Sequence, residues 1–172
     1  MATLQIAYPV TDADTVAITC DISSLASSTV YAGRASTAVD NRTNKDLDHL
    51  VSGKITLGTS PTVGKAVSVF AYAAASVASG TPTYPDSITG TDAAKTMTSA
   101  NVAVACLRLL WVGTSDAVTG RVLEMPPISI SRVFGSMPPF WGIFVTHDTG
   151  VALDSTAGNH SFQYHRVKAE TA

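Results

Sequence analysis

Apolar residues along this chain come in short runs, many of them alternating with polar ones. The runs are cut at intervals of roughly ten to fifteen residues by clusters of Gly, Pro, Asn, Asp and Ser. Alternation sends successive side chains to opposite faces of a strand, so this spacing predicts a β-sandwich or barrel built from many short strands. Strands are expected over residues 4–8, 16–21, 29–35, 49–57, 66–73, 102–111, 121–124, 140–147 and 161–168. About eight or nine strands is near the number of a jelly roll. The expected fold is therefore an all-β, jelly-roll-like sandwich in which helical periodicity is scarce.

Turn chemistry supports these boundaries. Gly58-Thr-Ser-Pro61 followed by Val63-Gly64 separates two strands, and Asp148-Thr-Gly150 and Ala157-Gly-Asn159 flank a short crossing. Two loops are long. Residues 76–99 hold Thr81-Pro-Thr-Tyr-Pro85 and many Ser and Thr, and loops of that length usually carry function or lie on a partner. Residues 125–139 hold two proline pairs that keep them out of central ladders, with room for one helical turn between. The Ala-rich run 100–110 fits either a buried strand or a helix. Val102, Val104 and Trp111 favour strand.

The length of 172 residues and 45% apolar content fit one domain with its own core, residues 1–172, of which 1–40 could in part form an extended arm. Net charge is only −2, so there is no excess of Lys and Arg to displace counterions from a nucleic acid. Only 14% of residues are charged, and Ala, Ser, Thr and Val fill the difference. Neutral small-residue surface costs little to desolvate and suits a chain packed among neighbours. The start of the sequence has no basic segment followed by an apolar core, so synthesis in a cytoplasm is expected, and residues 66–85 are too polar to span a membrane. Cys20 and Cys106 sit in apolar runs where a thiol packs as a small hydrophobe, and their spacing permits a disulfide without requiring one.

Catalytic patterns fail one by one. His147 and Asp148 are adjacent on a strand and so point to opposite faces, and no G-x-S-x-G elbow occurs. His160 and His165 are also on opposite faces of one strand, which separates them as metal ligands. Asn44-x-Asp46-x-Asp48 starts like a calcium loop, but His49 and Ile55 stand where the Gly and bidentate Glu belong, leaving a surface turn as the reading. Gly64-Lys65 leads into Ala66, which breaks the phosphate loop, and only Glu124 and Glu170 supply glutamate for a carboxylate pair. No enzyme, cofactor or metal is expected.

Aromatic residues remain. Met137-Pro-Pro-Phe-Trp-Gly142 gathers Met137, Phe140 and Trp141 beside a rigid proline pair, with Phe134 just upstream. Large rigid aromatics carry much of the energy of protein interfaces. Core packing at a strand entry is an equal reading for Phe140 and Trp141, and alternation turns one inward and the other outward. Tyr84, held in a loop between Pro82 and Pro85, is the cleaner interface candidate.

Two stretches resemble tailed-bacteriophage virion proteins, most closely capsid cement or decoration proteins. They are Asp40-Asn-Arg-Thr-Asn-Lys-Asp-Leu-Asp-His-Leu-Val-Ser-Gly-Lys-Ile-Thr-Leu-Gly-Thr-Ser-Pro61 and Pro138-Pro-Phe-Trp-Gly-Ile-Phe-Val-Thr-His-Asp-Thr-Gly-Val-Ala-Leu153. The resemblance extends from Asp40 to the C-terminus and rests on strand and turn patterns. It implies a jelly-roll-like sandwich on the outer surface of an icosahedral virion, self-associating as a dimer or trimer and bound across junctions of the major capsid protein. It carries over no functional residue, because that family has no catalytic motif. A tail or neck structural protein, or a carbohydrate- or receptor-binding sandwich stacking sugars on Tyr84 or Trp141, would share this composition.

Overall fold

A computed structural model describes residues 4–8, 14–78 and 80–171. The principal strands are β1 (Leu4–Ala7), β2 (Thr15–Ala17), β3 (Ala32–Ala35), β4 (Val39–Asp40), β5 (Asp48–Thr56) and β6 (Ala66–Ala73). A short hairpin, β7 (Ser76–Ala78) and β8 (Thr81–Thr83), is followed by β9 (Ala93–Thr96) and helix α1 (Ala100–Cys106). The chain closes with β10 (Arg108–Thr114), β11 (Val122–Ser129), helix α2 (Ile130–Phe134), β12 (Phe140–His147) and β13 (Ser161–Thr171). All pairings are antiparallel. Among the described residues no helix is long and apolar enough to cross a membrane.

Eight of these strands form a jelly roll. One sheet runs β2-β13-β5-β11 and the other β10-β6-β12-β3, with β1 extending the first beside β13 and β9 the second beside β3. Every step along the eight crosses between sheets except β6 to β10, which are neighbours. That is the double Greek key of a jelly roll. Of the described part of the first forty residues, the strands β1 to β4 pair into these two sheets.

Alternation sets the faces. Val67, Val69 and Ala71 of β6 and Trp141, Ile143 and Val145 of β12 point between the sheets, where they meet Val51 and Ile55 of β5 and Phe162 and Tyr164 of β13. Phe70 and Tyr72 of β6 and Phe140 and Phe144 of β12 point the other way, toward a second apolar cluster. That cluster is closed by Tyr84, Ile88, Met97, Ala103 and Leu107 from the segment that joins β6 to β10. As a result every residue of β12 is buried.

Three expectations are corrected. Residues 76–99 are not an open loop: they form β7, β8, a 3-10 turn (Pro85–Ser87) and β9, and fold back over their own sheet because Tyr72 and Phe144 would otherwise face water. The expected strand over 102–111 divides. Ser99 accepts the amide of Val102 as an N-cap, and the alanines that follow are the best helix formers, so 100–106 is helical and the strand starts at Arg108. The strand expected over 121–124 runs on to Ser129 through Pro126 and Pro127. The register shifts between Met125 and Ile128, and β11 is a sheet edge, where a missing N–H and a bulge are tolerated. The single helical turn expected before Phe134 is α2, capped by Ser129.

Candidate functional site

A group of buried polar side chains starts from a tight loop after β4. Asn41 spans it, its amide donating to the carbonyl of Asp46 at 3.0 Å and its side-chain oxygen accepting the amide of Asp46 at 2.9 Å. Lys45 sits within it at a φ of 53°. The clamp turns the Asp46 carboxylate inward, to 1% side-chain exposure. There Arg166 of β13 grips it with both prongs, Nε to Oδ2 at 2.7 Å and a terminal nitrogen to Oδ1 at 3.0 Å. A planar guanidinium fork matches a carboxylate, and this is the strong form of the ion pair. Asp48 binds instead the Ser129 hydroxyl and the Ser131 amide, fastening the start of α2. The surface turn expected around Asn44, Asp46 and Asp48 is thus an internal anchor, and only Asn44 of the three is exposed.

His49 lies beside Asp46, with Nε2 at 2.9 Å from Oδ2, and the indole N–H of Trp141 donates to its Nδ1 at 2.9 Å. An indole nitrogen can only donate, so Nδ1 must be the acceptor and Nε2 must carry the proton that goes to Asp46. Tyr164 closes the cluster, its ring 4.3 Å from the imidazole centre. Burial pushes the pKa of His49 below the ordinary histidine value, against the upward pull of Asp46. For Asp46 burial works against ionisation, but the bonds from Arg166 and His49 together outweigh it and hold the carboxyl below its usual range.

This Asp–His pair looks like the orienting half of a catalytic relay. In such a relay the outer nitrogen faces a nucleophile. Here it is filled by Trp141, and the cluster ties the two sheets together.

The other interior histidines are also committed. His147 faces the carbonyl of Leu25 through Nε2 and the hydroxyl of Thr149 through Nδ1, both at 2.9 Å, and burial lowers its pKa. Asp148 bonds elsewhere, to the amide of Ala66 at 3.0 Å and to Nζ of Lys65 at 3.4 Å. His160 accepts the amide of Thr56 at 3.2 Å and lies 2.9 Å from the carbonyl of Asp154, while His165 pairs with Thr15. Among the described residues no three His, Cys, Asp or Glu side chains gather as metal ligands. Cys20 and Cys106 are free thiols packed against different apolar clusters, and burial raises the pKa of Cys20 far above the ordinary thiol value.

The five aromatic and methionine candidates lie mostly inside the protomer. Trp141 has no exposure at all, Phe140 has 6% and Tyr84 has 9%. Alternation does send Trp141 between the sheets and Phe140 outward, but the outward side is covered, and Arg42 lies 4.3 Å over the Phe140 ring. Tyr84 packs edge-on against Tyr72 at 5.5 Å, which removes it as an exposed anchor or sugar platform. Phe134 and Met137 are half-buried against the main core.

On the second sheet a cleft of about 220 Å³ is lined by Ser28, Thr29, Tyr31, Ser68, Phe70 and Thr146, with Asp148 also in its lining. Sequence reasoning did not find it, since its walls come from three separate parts of the chain. The one local signal is Tyr31, a bulky residue at a φ of 54° in a Ser/Thr-rich turn.

Compared with known proteins, the chain matches no family model, no curated protein and no solved structure.

Proposed function

We propose that this chain is a structural virion protein that binds the outside of an icosahedral capsid and cements neighbouring major capsid protein subunits. The observation that carries the reading is a pair of exposed apolar side chains on the outward face of the edge strand β10. Leu109 and Val112 are 54% and 46% exposed and stand opposite Phe70 and Ser68, while Val122 of β11, 43% exposed, faces the other side of the sandwich. In the ladders β10 pairs with β6 alone and β11 with β5 alone. An edge strand that keeps apolar side chains in water is a ready surface for another chain.

The histidines committed to internal bonds, the low charge and the closed jelly roll support a scaffold role over a chemical one. The virion setting comes from the resemblance of residues 40–61 and 138–153 to cement proteins. Cementing by many copies needs only a modest interface in each, because the effects accumulate over the shell.

Removing the protein from its particles is expected to lower their resistance to heat and osmotic shock while assembly proceeds. Adding back Leu109→Lys/Val112→Lys protein should fail to restore it where the native chain succeeds. Particles equally robust without the protein would overturn the reading.

A further inference from the structure

The cleft on the second sheet has the features of a small-ligand site, and what it implies goes beyond cementing. Its wall at residues 28–31 is held rigidly. The Ser28 amide donates to the carbonyl of His147 at 2.7 Å, and the Ser28 hydroxyl accepts the amides of Val30 and Ala32 at 3.2 and 3.1 Å. The Tyr31 carbonyl accepts the amide of Met97 at 3.1 Å. These bonds hold Tyr31 in the left-handed region at a φ of 54°, a conformation unfavourable for a bulky side chain. Strain of this kind persists where surroundings impose it, and it concentrates at binding sites. Its consequence is to set the Tyr31 ring against Phe70, with centroids 6.0 Å apart and planes tilted by 56°.

Around this aromatic corner stand five hydroxyls with bonding capacity left over. Those of Thr29, Tyr31 and Ser68 make no hydrogen bond to any described residue. The Ser28 hydroxyl accepts two amides and keeps its own proton free, while that of Thr146 donates to the carbonyl of Ala32 at 2.7 Å and keeps its lone pairs. The carboxylate at the cleft, Asp148, is paired with Lys65, so the lining offers no unpaired cation to an anionic ligand. The volume of about 220 Å³ is below the roughly 300–1,000 Å³ of pockets for drug-sized molecules. One ring fits that space.

We propose that this cleft binds a single ring of a neutral carbohydrate. The C–H face of a pyranose would lie on the Tyr31 and Phe70 corner, and its hydroxyls would exchange hydrogen bonds with Ser28, Ser68 and Thr146. A neutral sugar needs alternating donors and acceptors around an apolar patch, and the cleft supplies both.

The test is titration of the isotope-labelled protein with glucose, galactose, mannose and N-acetylglucosamine, alongside a printed array of neutral glycans. At least one sugar should cause saturable amide shifts confined to residues 28–31, 68–70 and 146–148, with a Kd on the order of millimolar for so small a contact. Ser68→Val and Tyr31→Gly should each weaken it by about tenfold or more, a difference of about 1.4 kcal/mol. Glycine takes the φ of residue 31 without strain, so Tyr31→Gly should stay folded. If it does not, the map on the native chain and Ser68→Val decide. No saturable shift with any sugar and a silent array, shifts mapping elsewhere, or unchanged affinity in the variants would each overturn the proposal. Tyr31→Gly should still bind and strengthen particles, which separates sugar binding from cementing, whereas Ser68 stands opposite Val112 in the ladder and is read in the sugar titration alone.

Discussion

Trp141 and His49 are 92 positions apart in sequence and sit on different sheets, yet the indole N–H of one meets Nδ1 of the other at 2.9 Å. This bond fixes the histidine tautomer and, through it, the proton that His49 gives to Asp46. Apolar contacts between sheets set how deeply they pack but are not directional. The Trp141–His49–Asp46–Arg166 chain adds a directional tie that fits only one registration of the two sheets.

Trp141→Phe keeps a buried aromatic but leaves Nδ1 of His49 without a donor. An unsatisfied buried acceptor costs about 1–3 kcal/mol, and the smaller ring adds a packing loss. Urea unfolding should show a lower midpoint with an unchanged slope, because the same surface is still exposed on unfolding.

Stability should fall in mild acid. His49 and His147 are both held below the ordinary histidine pKa of 6.5, so the unfolded chain takes up protons before the folded chain does. Their contribution is complete above about pH 6.5 and declines as pH falls through the lowered folded values. Protonating His49 would also set an N–H against the N–H of Trp141. Asp46, with its carboxyl lowered from 3.8, extends the loss to stronger acid. Thermal unfolding between pH 8 and pH 4 should trace this decline, and His49→Gln should flatten its upper part. A stability that does not change over this range would contradict the burial of both rings.

Gly33→Ala should be strongly destabilising. A Cβ on Gly33 would stand 2.1 Å from the carbonyl oxygen of Val145 and 2.8 Å from the Phe144 ring, and the first of these is backbone that cannot turn aside. Overpacking of this kind costs about 1–3 kcal/mol or more, and it would separate β3 from β12. Gly158→Ala is the control, because nothing lies within 4 Å of its Cβ position. Melting temperatures of the two variants should differ by several degrees.

Much of the architecture was legible along the chain. Val67, Val69 and Ala71 alternate with Phe70 and Tyr72, and this local period assigns residues to the two faces of β6 whatever the rest of the molecule does. The spacing of turns led to about eight or nine strands, and eight make the jelly roll. Periodicity does not say what covers a face. Tyr84 looked like an exposed anchor because it stands between prolines in a long polar segment, and it is buried because Tyr72 and Phe144 needed a cover. The helix at 100–106 was missed because a short apolar run has no period that separates it from a strand, and its Ser99 cap and the sheet beneath decided it.

The sequence by itself determined the fold class, the strand faces and the absence of known local motifs, since each is written in neighbouring residues. Only the tertiary structure decided that Asp46, His49, Trp141 and Arg166 form one buried chain, and that residues 28–31, 68–70 and 146–148 enclose one cleft. The physical reason is that hydrogen-bond partners and cleft walls are chosen by distance in space. In a jelly roll nearly every neighbour comes from a remote part of the chain.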